Sequence, residues 1–197
     1  MCLVDISGHK FQSSLLRKSP KVIDCGIKYG EFAIPFLKRF GGRVYGLEPT
    51  GASIRRAREE ARRAGVRHSI VFARFAVWKE AGKMPFYLSD TYPQINSLFE
   101  DSLLDRVVFV PTVSLSDVIR HWSFTDLLKM DIEGAEWEAL WSVPIRLFQR
   151  VGQIAVEAHV SYSSGRTVDD MMELLTTAGF DMYKEGGGIR LDLWGNR

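Results

Sequence analysis

Cysteine is nearly absent from this chain: two residues in 197, Cys2 and Cys25. That excludes a disulfide framework and leads to the expectation of a reducing compartment. No apolar run approaches the ~18 residues of a membrane span, and the first residues lack a secretory-signal pattern. The expectation is a cytoplasmic protein with no membrane partner. Neither sign of charge dominates, and a net charge of +2 makes no case by itself for nucleic acid. Internal repeats, low-complexity tracts and linkers are missing too. What remains, 46% hydrophobic and 25% charged residues, is the composition of a soluble globular protein, and the length fits one domain.

Two phosphate-binding signatures are also missing, and their absence sharpens the reading of the stretch on which the chain is organised. Val22-Ile23-Asp24-Cys25-Gly26 reads as a strand ending in a turn, Gly30 closes the turn, and Ile34, Phe36 and Leu37 follow with helical spacing. Strand, glycine turn and helix open a ligand crevice at the carboxyl edge of an α/β sheet. A dinucleotide fingerprint starting at Gly26 needs glycines where the chain has Lys28 and Glu31, and no Gly-Lys-Ser/Thr closes a P-loop. An acidic residue beside a two-glycine turn suits a ligand with a cation and no phosphate. S-adenosylmethionine, with its sulfonium and ammonium groups, is such a ligand. The plainer alternative is a glycine turn that only packs a helix on a sheet.

In chain order, residues 1–20 read as a short lead-in with one helical turn near Ser13 to Arg17. A strand from Lys21 to Cys25, a helix from Gly30 to Phe40 stopped by Gly41-Gly42, and a strand at Val44 to Leu47 follow. Glu48-Pro49 ends that strand, about two dozen residues after the first strand, where an acidic side chain can accept from both ribose hydroxyls. Thr50 is placed to cap the next helix, whose Arg55, Arg56, Arg58, Arg62 and Arg63 alternate with Glu59 and Glu60 and read as a solvated face. A strand at Ser69 to Phe72, a loop through Phe75 to Trp78, short strands at Met84 to Leu88 and Val107 to Val113, and a helix from Ser116 to Trp122 come next. Between those short strands, Thr91 to Ser97, with Tyr92, Pro93 and Asn96, reads as a loop near the active mouth.

Asp126 to Asp131 then reads as a buried strand with an acidic tip, continuing into a helix over Ile132 to Leu140. Asp131 and Glu133, two apart on an extended backbone, point to one side. Glu136 falls in the first helical turn, where a carboxylate caps. Val151 to Val156 forms a further strand, and Glu157 and His159 beyond it share a face. A histidine beside acidic neighbours at a strand tip is a candidate base. A helix over Val168 to Ala178, a strand over Phe180 to Tyr183, the turn Gly186-Gly187-Gly188 and a strand over Ile189 to Trp194 close the sheet as a hairpin.

Taken in order, Val22-Ile23-Asp24-Cys25-Gly26 with Gly30-Glu31-Phe32, Glu48-Pro49, Ala76-Val77 and, above all, Lys129-Met130-Asp131-Ile132-Glu133-Gly134-Ala135-Glu136 resemble the FkbM-type methyltransferases. The likeness spans about Lys21 to Tyr183. It implies a class I S-adenosylmethionine-methyltransferase fold: α/β, Rossmann-like, a mostly parallel seven-stranded sheet with a C-terminal antiparallel hairpin and helices on both faces. It divides the chain into the lead-in, 1–20, and a methyltransferase domain, 21–197. It also implies S-adenosylmethionine as methyl donor and a hydroxyl acceptor on a small molecule or glycan. Carried over residue by residue, Asp24, Gly26 and Gly30 line the methionine side, Glu48 holds the ribose, Ala76 counts among the cofactor residues, and Asp131 sits beside the methyl group. The family has small or amide residues in the glycine turn where this chain has Ile27 and Lys28. Lys28 either binds the cofactor carboxylate or points to solvent.

The expected chemistry is in-line displacement of the methyl group by an acceptor oxygen, with His159 as base and Asp131 as orienting group. Asp131, Glu133, Glu157 and His159 offer a second use as hard ligands for Mg²⁺ or Mn²⁺. Two rivals stay open: a nucleic-acid methyltransferase built on the arginine-rich helix, weakened by the lack of an Asn-Pro-Pro-Tyr type motif, and a cofactor-binding module without catalysis. The acceptor and any homo-oligomer are not specified by the sequence.

Overall fold

The computed structural model describes residues 3–91, 96–100, 103, 105–159, 164–184 and 190–195, the side chains of 182–184 and 190–195 excepted. Tyr92, Pro93, Ile189 and the Gly186-Gly187-Gly188 turn lie outside the described residues.

The chain opens with a hairpin of β1 (Leu3–Ile6) and β2 (His9–Gln12). A first α/β run follows: β3 (Lys21–Cys25), α1 (Ala33–Phe40), β4 (Arg43–Leu47), α2 (Gly51–Arg63) and β5 (Ile70–Ala73). Three strands then form a separate small sheet: β6 (Ala76–Trp78), β7 (Gly82–Leu88) and β8 (Arg106–Ser114). The second run comprises α3 (Leu115–Arg120), β9 (Leu127–Met130), α4 (Glu136–Trp141), β10 (Gln153–Glu157), α5 (Val168–Thr177), β11 (Phe180–Lys184) and β12 (Arg190–Gly195).

The central sheet has seven strands in the order β11-β12-β10-β9-β3-β4-β5. Five of them, β10 through β5 in that order, pair parallel, and the other two are the closing antiparallel hairpin. β9 is buried along its whole length, as a strand covered on both faces must be. Alternation divides the core. Val22, Val44, Leu127 and Ala155 face α1 and the N-terminal hairpin, whereas Ile23, Leu128, Ile154 and Val156 face α3, α4 and α5. Cys25 stands opposite both Leu47 and Met130, so Gly26, Glu48 and Asp131 emerge at one level on the carboxyl edge.

Several expectations change. The lead-in is a β-hairpin rather than a stretch with only a helical turn, although a short 3₁₀ turn does occupy Ser13–Leu15. Ser7 and Gly8 have φ of 52° and 82°, the geometry of a type I′ connection. Phe11 docks it among Phe32, Phe36 and Phe40, with ring centroids 5.5 to 6.2 Å away. Gln153 locks it to the sheet by accepting from the Gln12 amide at 2.8 Å and donating to the Gln12 carbonyl at 3.2 Å. Phe75 to Trp78 is no loop, because Ala76–Trp78 pairs with β8. Helix α1 starts at Ala33 rather than Gly30, since Lys28 and Gly30 hold φ of 48° and 86°. Helix α4 starts at Glu136 rather than Ile132 because Glu133 and Gly134 form a left-handed turn. Thr50 does not cap α2; its hydroxyl goes to Glu48 instead. Among the described residues no helix is long and apolar enough to cross a membrane.

Candidate active site

The cavity lies where the large sheet's carboxyl edge meets the small sheet. Gly26, Glu48 and Asp131 supply one wall; Phe75, Ala76, Val77, Phe86 and Leu98 supply an apolar one. Gly26 has φ +81°, and a Cβ there would stand 2.0 Å from the Asp131 carbonyl, so only glycine lets the β3 and β9 tips come this close. Glu48 is 7% exposed. Its Oε1 accepts from the Thr50 amide at 2.8 Å and hydroxyl at 2.7 Å. Burial pushes its carboxyl pKa up, while Thr50 and the Lys28 amide counter the rise.

Asp24, expected to line the methionine side, is fully buried and does not line the cavity. It stands behind the glycine turn, 3.2 Å from the Lys129 ammonium. Lys129 also donates to the Gly26 carbonyl at 3.0 Å and faces Asp131 at 3.6 Å. Burial disfavours its charge, but Asp24 and Asp131 outweigh burial and push its pKa up to about 12. Burial likewise opposes the Asp131 charge, yet Lys129, His9 and His159 hold that carboxyl well below the usual range. Gly30 also stays off the cavity wall; it turns the chain into α1. Lys28 does line the cavity, but its ammonium lies 3.8 Å from Glu31 and 5.8 Å from the Tyr29 ring centroid.

Asp131 and Glu133 both line the cavity, as expected, but by a different geometry. Glu133 has φ +54° and is not extended; a left-handed non-glycine residue costs on the order of 1–3 kcal/mol and marks functional turns. Ser97 steadies the turn by donating to the Glu133 carbonyl at 2.6 Å. His159 reaches this group from the tip of β10. Its Nδ1 lies 3.1 Å from Glu136 Oε1, and its Nε2 lies 3.4 Å from Glu133 and 3.9 Å from Asp131. Glu136, fully buried, accepts from the Ile132 and Gly134 amides at 2.7 and 2.9 Å, so it caps the turn and aims the ring at once.

His159, the expected base, stands among three carboxylates that govern its charge. Burial disfavours the charged ring, but the Glu136 hydrogen bond and the charges of Glu136, Glu133 and Asp131 push its pKa up to about 9. Glu133 shifts the other way for a carboxylate: burial and the neighbouring Asp131, Glu136 and Glu157 push it up to about 7 against His159. The four expected metal ligands do not gather as one set. Asp131 is shared between two groups, one with Glu133 and His159, the other with Glu157 and His9. His9, 3% exposed and 3.7 Å from Asp131, was not signalled by any motif, though the Ser-Gly turn between alternating apolar residues marks the hairpin that carries it.

A parallel sheet of this order, with a cavity at its carboxyl edge walled by Gly26, Glu48 and Asp131, defines a Rossmann-like α/β protein with the architecture of a methyltransferase. The methyltransferase FkbM domain model matches residues 24–182, and the chain belongs to that family. Among solved structures it is similar to a methyltransferase FkbM from Methylobacillus flagellatus KT: 19% identity, TM-score 0.62, over 93% of this chain and 46% of that one. This chain therefore spans about half the length of that relative. An rRNA methylase from Streptococcus thermophilus shares the fold at 10% identity and TM-score 0.56, covering 93% and 91% of the two chains. A precorrin-6y C5,15-methyltransferase from Geobacter metallireducens GS-15 does so at 13% identity and TM-score 0.50, covering 93% and 85%. No curated protein matches the sequence significantly.

Proposed function

We propose that the chain is an S-adenosylmethionine-dependent O-methyltransferase acting on a hydroxyl of a small molecule or glycan. The observation that carries this reading is the convergence of Glu48 and Asp131 on one cavity within an FkbM domain. The residues suit the cofactor: a buried carboxylate at a strand tip fits ribose hydroxyls, apolar Phe75, Ala76, Val77 and Leu98 fit a base without a dedicated aspartate, and the acidic edge fits a cation. S-adenosylmethionine, when bound, supplies an electrophilic methyl group on a sulfonium.

The chain's own part is positional. Glu48 accepts from the ribose, its second task after Thr50. Gly26 lets the ligand approach the backbone. Asp131, kept ionised by Lys129, orients the groups that meet at the carboxyl edge. Holding donor and acceptor in line supplies most of the acceleration. The arginine-rich helix needs no nucleic acid to explain it. Arg63 pairs with Glu59 and Glu60, Arg56 lies 4.0 Å over Tyr29, and Arg58 lies 5.6 Å over Phe72.

Calorimetric titration with S-adenosylhomocysteine, with NAD alongside, tests the reading. We expect saturable binding of the thioether nucleoside, none of NAD, and a loss of at least about tenfold in affinity for Glu48→Ala, the scale of one hydrogen bond to a charged group. No binding, or an unchanged affinity in the variant, overturns the proposal.

A further inference from the structure

We infer that Asp131, Glu133 and His159 form a site for one divalent cation of the manganese type at the acceptor side of the cavity. Each offers one ligand atom, and the three atoms lie within 4.8 Å of one another. Donors bound to one ion at about 2.0–2.2 Å stand no more than about 4.4 Å apart. The separations from His159 Nε2, 3.4 Å to Glu133 and 3.9 Å to Asp131, are inside that reach. Two carboxylates and one imidazole favour a cation harder than copper and more tolerant of nitrogen than calcium, which is the character of Mn²⁺.

A second observation, independent of the acidic residues that face the cavity, concerns the ring itself. Glu136 Oε1 accepts from His159 Nδ1 at 3.1 Å and is fixed in turn by two backbone amides. Trp137 Nε1 donates to the His159 carbonyl at 2.7 Å. The imidazole is thus held with Nε2 toward Asp131 and Glu133, the carboxylate-histidine arrangement that orients metal ligands. On the far side, Lys129 and His9 occupy the other Asp131 oxygen, so Asp131 presents one oxygen to the ion.

Asp131 and Glu133 line the cavity, so an acceptor oxygen can complete the coordination there and be held at the reacting edge. This role rests on the methyl-transfer reading; the site itself does not.

The test uses the full chain, stripped with chelator and titrated with Mn²⁺ while free Mn²⁺ is followed by electron paramagnetic resonance. The expected result is one Mn²⁺ per chain, with affinity reduced more than about tenfold in Glu133→Gln and in His159→Gln. Circular dichroism checks that both variants are folded, and Glu133, being partly exposed, is the safer of the two. No uptake by the wild-type chain, or equal uptake by either folded variant, overturns the site. Binding of S-adenosylhomocysteine to the stripped chain without Mn²⁺ uptake removes the cation site and leaves methyl transfer standing. Mn²⁺ uptake without nucleoside binding supports the site and removes the cofactor reading.

Discussion

Lys129 carries more of the site's architecture than any residue that touches the cavity. It neutralises Asp24 at 3.2 Å and Asp131 at 3.6 Å and pins the Gly26 carbonyl. Removing one partner of a buried ion pair leaves a charge without compensation, which costs about 3–5 kcal/mol. Lys129→Met should therefore lower the denaturant midpoint by that amount of stability and abolish nucleoside binding. The double variant Lys129→Met with Asp24→Asn should recover part of the stability, because the buried acid is then neutral; no recovery would show that the pair is not what matters. Part of this was legible in the sequence. The acidic tips at Glu48 and Asp131 announce themselves because strand ends and prolines can be read locally. The partner of Lys129 could not be read, since Asp24 meets it only when β3 and β9 pair. The surroundings of His159 were hidden for the same reason: Glu133 and Glu136 come from another segment and meet it only when β9 and β10 pair.

At the scale of elements, the parallel strands were the most legible part, because burial on both faces writes continuous apolar runs such as Val22-Ile23 and Leu127-Leu128. Element ends were less so. The left-handed residues Lys28 and Glu133 delay two helices, and nothing in a lysine or glutamate announces a positive φ. The N-terminal hairpin depends on Phe11, fully buried among three phenylalanines. Phe11→Ala should cost about 3–5 kcal/mol by thermal or denaturant unfolding. A second tie joins the lead-in to the sheet. Arg17 donates to Asp126 through Nε at 2.8 Å and Nη2 at 2.7 Å, and the Lys21 amide donates at 2.8 Å. Burial opposes the Asp126 charge, but these donors outweigh it and hold its pKa below the ordinary value. A depressed carboxylate stabilises the fold above its unfolded pKa and loses that contribution as the pH falls through its folded pKa. The melting-temperature gap between the wild type and Asp126→Asn should accordingly be widest near neutrality and shrink in acid. A gap independent of pH would remove Asp126 as its source.

For the molecule as a whole, two sheets of unequal size share the task. The seven-stranded sheet brings Gly26, Glu48 and Asp131 to one level, and the small sheet of β6, β7 and β8 closes the cavity with apolar side chains. The separation of contacting segments along the sequence adds a constraint of time. The hairpin rests partly on α1, which follows it closely, and partly on β10 and β12, with Gln12 and Gln153 lying 141 residues apart. Its apolar side stays uncovered until that distant contact forms, so docking of the hairpin is a late, non-local step of folding.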